Sequence, residues 1–172
     1  MGEIRHNHFH AGLDIKTEGK IGIPVLAIAN GYVSRIGVSE GGYGHVLYLT
    51  HLDRKTSVYA HLQRFEEDLE NYTLNQQYQK ETYQIQLFPQ KNKFYFNQGD
   101  TIGYSGNSGS SSGPHLHFEM RNARQEFLNP FDEFSFNEIE DNIPPRIKYI
   151  AFKCLDIDAR VNGAYGTLLA RT

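Results

Sequence analysis

The sequence predicts an all-β domain, an antiparallel sheet folded partly round on itself and carrying a short helical insertion. Three observations predict it. Sixteen glycines against six prolines in 172 residues suit a chain that turns tightly and often. Short apolar runs recur between turn signals, at 21–28, 32–36, 46–50 and 57–61. Helical spacing interrupts this rhythm at 65–80.

Taken in order, the run from Ile21 to Ile28 is followed by Asn30-Gly31, a hairpin signal, with Tyr32 to Ile36 as the returning strand. Gly41-Gly42-Tyr43-Gly44 marks another turn. Val46 to Thr50 and Ser57 to His61 then read as a second hairpin. Phe65, Leu69 and Tyr72 fall at i, i+4 and i+7, which predicts a short amphipathic helix with Glu66-Glu67-Asp68 at its solvated start. Tyr83, Ile85 and Leu87 alternate with Gln84 and Gln86, as on a half-buried strand. The stretch from about 65 to 97 is expected to be an insertion that decorates the sheet, rather than the wall of a substrate groove.

Ser105 to Gly113 is Ser/Gly-rich and elsewhere would suit a linker. It runs straight into His115-Leu116-His117, so a shaped loop at a site is expected. Asn129-Pro130-Phe131 closes the main domain, taken as 1–136, and Asn142-Ile143-Pro144-Pro145 reads as a boundary. Residues 137–172 form a C-terminal extension with a strand at 146–155 and a turn at Asn162-Gly163. It is too short to bury a core alone. It either packs on the first domain or is the start of a truncated second β domain.

Composition narrows the function classes. A net charge of −3 with no basic stripe argues against nucleic acid as a partner. No apolar run is long enough for a transmembrane segment, and no signal peptide is present. The chain begins almost at its first candidate ligand, which reads as a piece of a longer protein. Cys154 is the sole cysteine, so no intrachain disulfide forms, and it is expected to be a small buried apolar residue.

The chemistry is concentrated in two separated half-motifs, His10-Ala11-Gly12-Leu13-Asp14 and Gly113-Pro114-His115-Leu116-His117-Phe118-Glu119. On a strand, His115 and His117 share one face while Leu116 points to the other, and His10 and Asp14 share a face in extended backbone. Imidazole and carboxylate are ligand types that suit zinc, and three such ligands leave a coordination position open for catalysis. Taken alone, His10 with Asp14 reads equally well as a surface ion pair. Spacing does not say which of His115 and His117 would bind metal, since their Cα atoms are about 6.6–6.8 Å apart on a strand. His61, in Tyr59-Ala60-His61-Leu62, is a further candidate. Glu119 follows the parity of the two histidines and is either a support to a ligand or half of a cross-strand pair. His51 reads as structural, His45 as an exposed turn residue beside a groove that Tyr43 also lines, and His6 and His8 as mobile terminal residues.

The blocks His10-x-Gly12-x-Asp14, Tyr59-Ala60-His61-Leu62 and Gly113-Pro114-His115-Leu116-His117-Phe118-Glu119, in this order, resemble the lysostaphin/LytM-type zinc metallopeptidases. Pro24-Val25 before Ala29-Asn30-Gly31, Gly42-Tyr43-Gly44, and Gly99-Asp100 before Gly106 extend the resemblance over residues 9–131, apart from the insertion. It implies a LytM-type core with one zinc ion per chain held by His10, Asp14 and His117, and His61 and His115 as catalytic histidines. It also implies an endopeptidase acting on peptide bonds in peptidoglycan stems or cross-links, outside the cytoplasm. Two departures stand out, the long insertion and His45 where relatives often carry a small polar residue. The rival functions are a non-catalytic wall-binding or hydrolase-activator module that keeps zinc, and a zinc peptidase acting on non-wall peptides.

Overall fold

The structure is a computed structural model describing residues 3–5, 8–91, 93–133, 149–154, 156 and 158–171. The chain divides into two compact units, Met1–Ser135 and Phe136–Thr172. Residue His6 and the Asn142–Pro145 boundary lie outside the described residues.

In the first unit, β1 (Glu3–Arg5) and β2 (His8–His10) form a small hairpin, so His8 belongs to a strand paired with Arg5. The main sheet follows, with β3 (Leu13–Lys16), β4 (Pro24–Leu26), β5 (Gly31–Val38), β6 (His45–His51) and β7 (Thr56–Phe65). Helix α1 (Glu67–Gln79) interrupts it before β8 (Ile85–Leu87), β9 (Tyr95–Phe96), β10 (Thr101–Ser105), β11 (His115–Arg121) and β12 (Phe127–Leu128). A single turn of helix, α2 (Pro130–Glu133), ends the described part of this unit. Every strand pair is antiparallel, and the backbone of the sheet runs β12-β11-β7-β6-β5-β8 without closing. The expected antiparallel all-β architecture with a helical insertion is therefore the one the chain adopts.

One face of this sheet carries the main core. Val33, Ile36, Leu47, Leu49, Tyr59, Leu62, Phe65, Ile102, Phe118 and Met120 meet there with Leu69 of α1. The opposite face holds a smaller cluster, Val46, Tyr48, Val58 and Ala60, with Tyr43 packed against it. Pleat alternation divides the residues between the faces, so the polar residues of β11 at 115, 117, 119 and 121 share the second face.

The Asn30-Gly31 hairpin is not formed. β4 pairs with β10, while β5 pairs with β6, β8 and β9. Gly31 lacks the positive φ that a two-residue hairpin turn demands of such a glycine. Its hydrogen side instead lets two groups pack tightly, since a Cβ there would lie 2.8 Å from the Thr50 carbonyl oxygen and 2.9 Å from His51 Nδ1. Asn30 bridges segments, accepting from Gln98 N through its side chain and facing His51 Nδ1 through its carbonyl. The second expected hairpin, β6 to β7, is present.

Helix α1 starts at Glu66, whose carboxylate accepts from Asp68 N. Leu69 and Thr73 are buried on its inner side, and Thr73 Oγ1 donates to the Leu69 carbonyl. Ile85 and Leu87 are buried while Gln86 is exposed, matching the predicted alternation, and β8 covers part of β5. Tyr83 lies outside that strand and is exposed. The insertion is thus tied to the core by a few apolar anchors.

The second unit contains a hairpin of β13 (Tyr149–Lys153) and β14 (Thr167–Arg171). Asn162 and Gly163 both take positive φ between the bridged residues Val161 and Ala164, a tight turn as expected. Cys154 is buried. Among the described residues, no helix is long and apolar enough to cross a membrane.

The anchoring of α1 is testable. Leu69→Ala should cost about 2–5 kcal/mol of stability, whereas Leu74→Ala, at an exposed position on the same helix, should stay within about 0.5 kcal/mol. Urea unfolding monitored by circular dichroism checks the contrast.

Candidate metal centre

Strand register assembles the centre. On β3 and β11, Asp14 lies opposite His117 and Lys16 opposite His115. His10 arrives from the end of β2, two residues before Gly12. Gly12 is required for that approach, since a Cβ there would sit 2.5 Å from His117 Cε1 and 2.8 Å from the Phe118 carbonyl oxygen.

Three ligand-type atoms converge. His10 Nε2 is 3.1 Å from Asp14 Oδ1 and 3.0 Å from His117 Nδ1, and His117 Nδ1 is 3.0 Å from Asp14 Oδ1. The triangle is close to equilateral, and these residues form a group able to hold a metal ion. His117 Nε2 lies 2.8 Å from Glu119 Oε1. A carboxylate oxygen only accepts, so Nε2 carries a hydrogen, and in its neutral form the ring would turn an Nδ1 lone pair toward Asp14 and His10. Lone pairs facing one another at 3 Å repel unless a proton or a cation sits among them. The donor set therefore fits a metal with imidazole and carboxylate ligands about 2.0–2.2 Å away.

Glu119 is itself held on every side. It is fully buried, and Tyr43 Oη donates to Oε1 at 2.5 Å. Arg121 donates to Oε2 from Nη2 at 2.6 Å and from Nε at 2.9 Å. Burial alone would push the Glu119 carboxyl up, but His117, Tyr43 and Arg121 outweigh it and hold the carboxyl below its ordinary value. For His117, burial presses the imidazole down, while Glu119 and Asp14 carry it above its usual value. Burial and the Glu119 bond raise the Tyr43 phenol. Of the two readings open for Glu119, support of His117 is the one its contacts satisfy. Carboxylates bonded to a ligating histidine commonly fix its tautomer and orientation. Tyr43 and Arg121 complete this network. Arg121 was recognisable only as the next residue of the 115, 117, 119 parity.

His115 and His61 stand beside the triangle, with ring centroids 4.8 Å apart, and His115 Nε2 is 3.5 Å from Asp14 Oδ1. His115 Nδ1 donates to the Gly113 carbonyl at 2.8 Å, and His61 Nδ1 donates to the Ser108 carbonyl at 2.8 Å. With Nδ1 committed as a donor, Nε2 is the nitrogen each ring leaves for the site. Burial, followed by the neighbouring imidazoles, lowers the His61 pKa despite the opposing Ser108 bond. The loop from 105 to 113 is shaped as expected, and it supplies carbonyl acceptors that orient both histidines. Ser108 Oγ also accepts from His45 N and donates to the Leu62 carbonyl, locking the loop to the β6 and β7 ends.

His61 reaches this face through a bulge. Tyr59 packs in the main core and Ala60 on the site face. Strict alternation would return residue 61 to the core. From Leu47 to His45, β6 advances two residues while β7 advances three, from Tyr59 to Leu62. The extra residue is His61, with φ of 59°. The bulge keeps His61 beside His115 and His117 and restores Leu62 to the core. It also divides the edge of β7, where residues before it pair with β11 and residues after it with β10.

The remaining histidines take other places. His51 is buried between the Asn30 carbonyl and Ser57 Oγ, a structural position as expected. His45 is not a turn residue. It begins β6 half-buried, with its ring against Phe65 and Nδ1 3.2 Å from the Leu62 carbonyl.

Comparison with known proteins adds a family to this geometry. The model of peptidase family M23 matches residues 8–80 and 75–130. A DD-carboxypeptidase/endopeptidase, Mpg, of Neisseria meningitidis serogroup B is 30% identical over 122 residues, which are 70% of this chain and 22% of that protein. The chain thus spans about a fifth of the length of the curated relatives it matches. Among solved structures, the catalytic domain of the antimicrobial peptidase lysostaphin from Staphylococcus simulans superposes with a TM-score of 0.52 at 25% identity, covering 74% of this chain and 80% of that one. The catalytic domain of the M23 protein EnpA from Enterococcus faecalis shares the fold, with a TM-score of 0.51 at 23% identity over 73% and 79% of the two chains.

The close approach at Gly12 gives a direct check. Gly12→Ala should displace the His117 ring, shifting its imidazole ¹⁵N resonances, and should lower stability by about 1–3 kcal/mol. Unchanged resonances would mean that the backbone yields instead.

Proposed function

The chain belongs to peptidase family M23, and from that premise we propose that it is a zinc-dependent endopeptidase cutting peptide bonds in the stem peptides or cross-links of bacterial peptidoglycan. The observation that carries this reading is the convergence of His10, Asp14 and His117 on one point with two further histidines alongside. Three protein ligands, rather than four, are the pattern of a catalytic zinc site. The names of the relatives, a DD-carboxypeptidase/endopeptidase and an antimicrobial peptidase, support peptide-bond hydrolysis. Peptidoglycan as the substrate implies a site of action outside the cytoplasm.

In this proposal His10 Nε2, Asp14 Oδ1 and His117 Nδ1 hold one zinc ion per chain. When bound, zinc supplies Lewis acidity for the scissile carbonyl and the attacking water. Glu119 keeps the lone pair of His117 aimed at the centre and adds negative charge behind the ring. His61, kept neutral by burial, accepts the proton of the attacking water. His115, anchored through Nδ1, presents Nε2 beside Asp14, where it accepts from the attacking water and orients it. The carbonyls of Ser108 and Gly113 hold both rings in one tautomer, so neither has to reorganise during the reaction.

Zinc-loaded protein incubated with purified peptidoglycan of both cross-link types should release new muropeptides, detected by mass spectrometry, that vanish with a chelator. Bound zinc at one per chain without any product would overturn the proposal and favour a non-catalytic module. In the same assay, His117→Ala should lose stoichiometric zinc and activity together. His115→Ala should keep its zinc while kcat falls by about 10²–10⁴. Loss of zinc from His115→Ala would exchange the two roles.

A further inference from the structure

We infer that Lys16 is a specificity-determining residue that pairs with a carboxylate of the substrate beside the cleaved bond. The inference rests on the peptidase reading above and concerns which substrates that site prefers.

The β3–β11 register sets Lys16 directly across from His115, two residues along from the Asp14–His117 pair. Directly opposed residues project to the same face, with Cβ atoms about 4.5–5.5 Å apart. Lys16 therefore rises next to His115 on the face that carries the centre. It is exposed, and it makes no ion pair with any described residue. The other cation of this region, Arg121, is committed to Glu119 on two nitrogens. Lys20 faces Glu18, and Lys55 pairs with Glu133. The uncommitted positive charge beside the catalytic histidine is thus Lys16. A flexible stem carrying a point charge suits a carboxylate whose position varies between substrates.

The carboxylate could belong to a chain terminus or to a side chain, and one experiment separates these. Cross-linked muropeptide dimers are prepared in three forms: all carboxylates free, terminal carboxylate amidated, and side-chain carboxylates amidated. Lys16→Ala should raise KM about five- to tenfold for every form that retains the recognised carboxylate, with kcat little changed. The form lacking it should show no change, which names the source. Lys16→Arg should restore KM, and Lys16→Glu should raise it further. Zinc content should remain one per chain in all variants.

An edge-strand lysine that only blocks unwanted strand pairing is the competing role. It predicts equal, small KM changes for all three forms, and that result would overturn the inference while leaving the peptidase reading in place. Wild-type protein that turns over none of the forms would overturn both.

Discussion

The register between β3 and β11 is the constraint on which the rest of the site depends. It places Asp14 opposite His117 and Lys16 opposite His115. A slip of one residue would turn each of these side chains to the opposite face. Several features hold the register. Phe118 and Met120 are buried in the main core between the site residues of β11, so the strand cannot rotate without exposing them. Gly12 permits the close passage of the chain beside His117. The catalytic-type groups are therefore consequences of how the core strand is buried.

A second layer of polar contacts fixes how these side chains are oriented. Glu119 orders His117, while Tyr43 and Arg121 order Glu119. The loop between β10 and β11 orders His61 and His115 through backbone carbonyls. A buried carboxylate with several donors is expensive to leave half satisfied. The network is therefore a rigid backing to the centre, and no buried side-chain polar atom among the described residues lacks a partner. Bulging at His61 belongs to the same design, since a left-handed backbone at a histidine is tolerated where the surrounding structure over-determines it.

Much of this was legible in the sequence because it follows period-two alternation. The shared face of His115 and His117, the helix at 67–79 and the burial of Ile85 and Leu87 are all readings of that kind or of helical spacing. What alternation could not reveal is where it breaks. Nothing in Tyr59-Ala60-His61-Leu62 announces an extra residue, yet without it His61 would point into the core. Asn30-Gly31 misled because a hairpin signal is local, whereas β4 is claimed by β10 from far along the chain. Arg121 carries no local signal, because its role follows from the burial of Glu119, to which it donates twice. Ser108 sits in the Ser/Gly-rich run, and its anchoring contacts depend on segments remote in sequence.

In the proposed function, His10, Asp14 and His117 form a single metal-binding centre, with His115 and His61 beside it rather than in it. Anomalous X-ray diffraction from crystals of the zinc-loaded protein, measured on both sides of the zinc absorption edge, tests this most directly. One strong peak per chain is expected, bonded by His10 Nε2, Asp14 Oδ1 and His117 Nδ1. A peak coordinated by His115 or His61 in place of one of these, or the absence of a peak at the triangle, would contradict it.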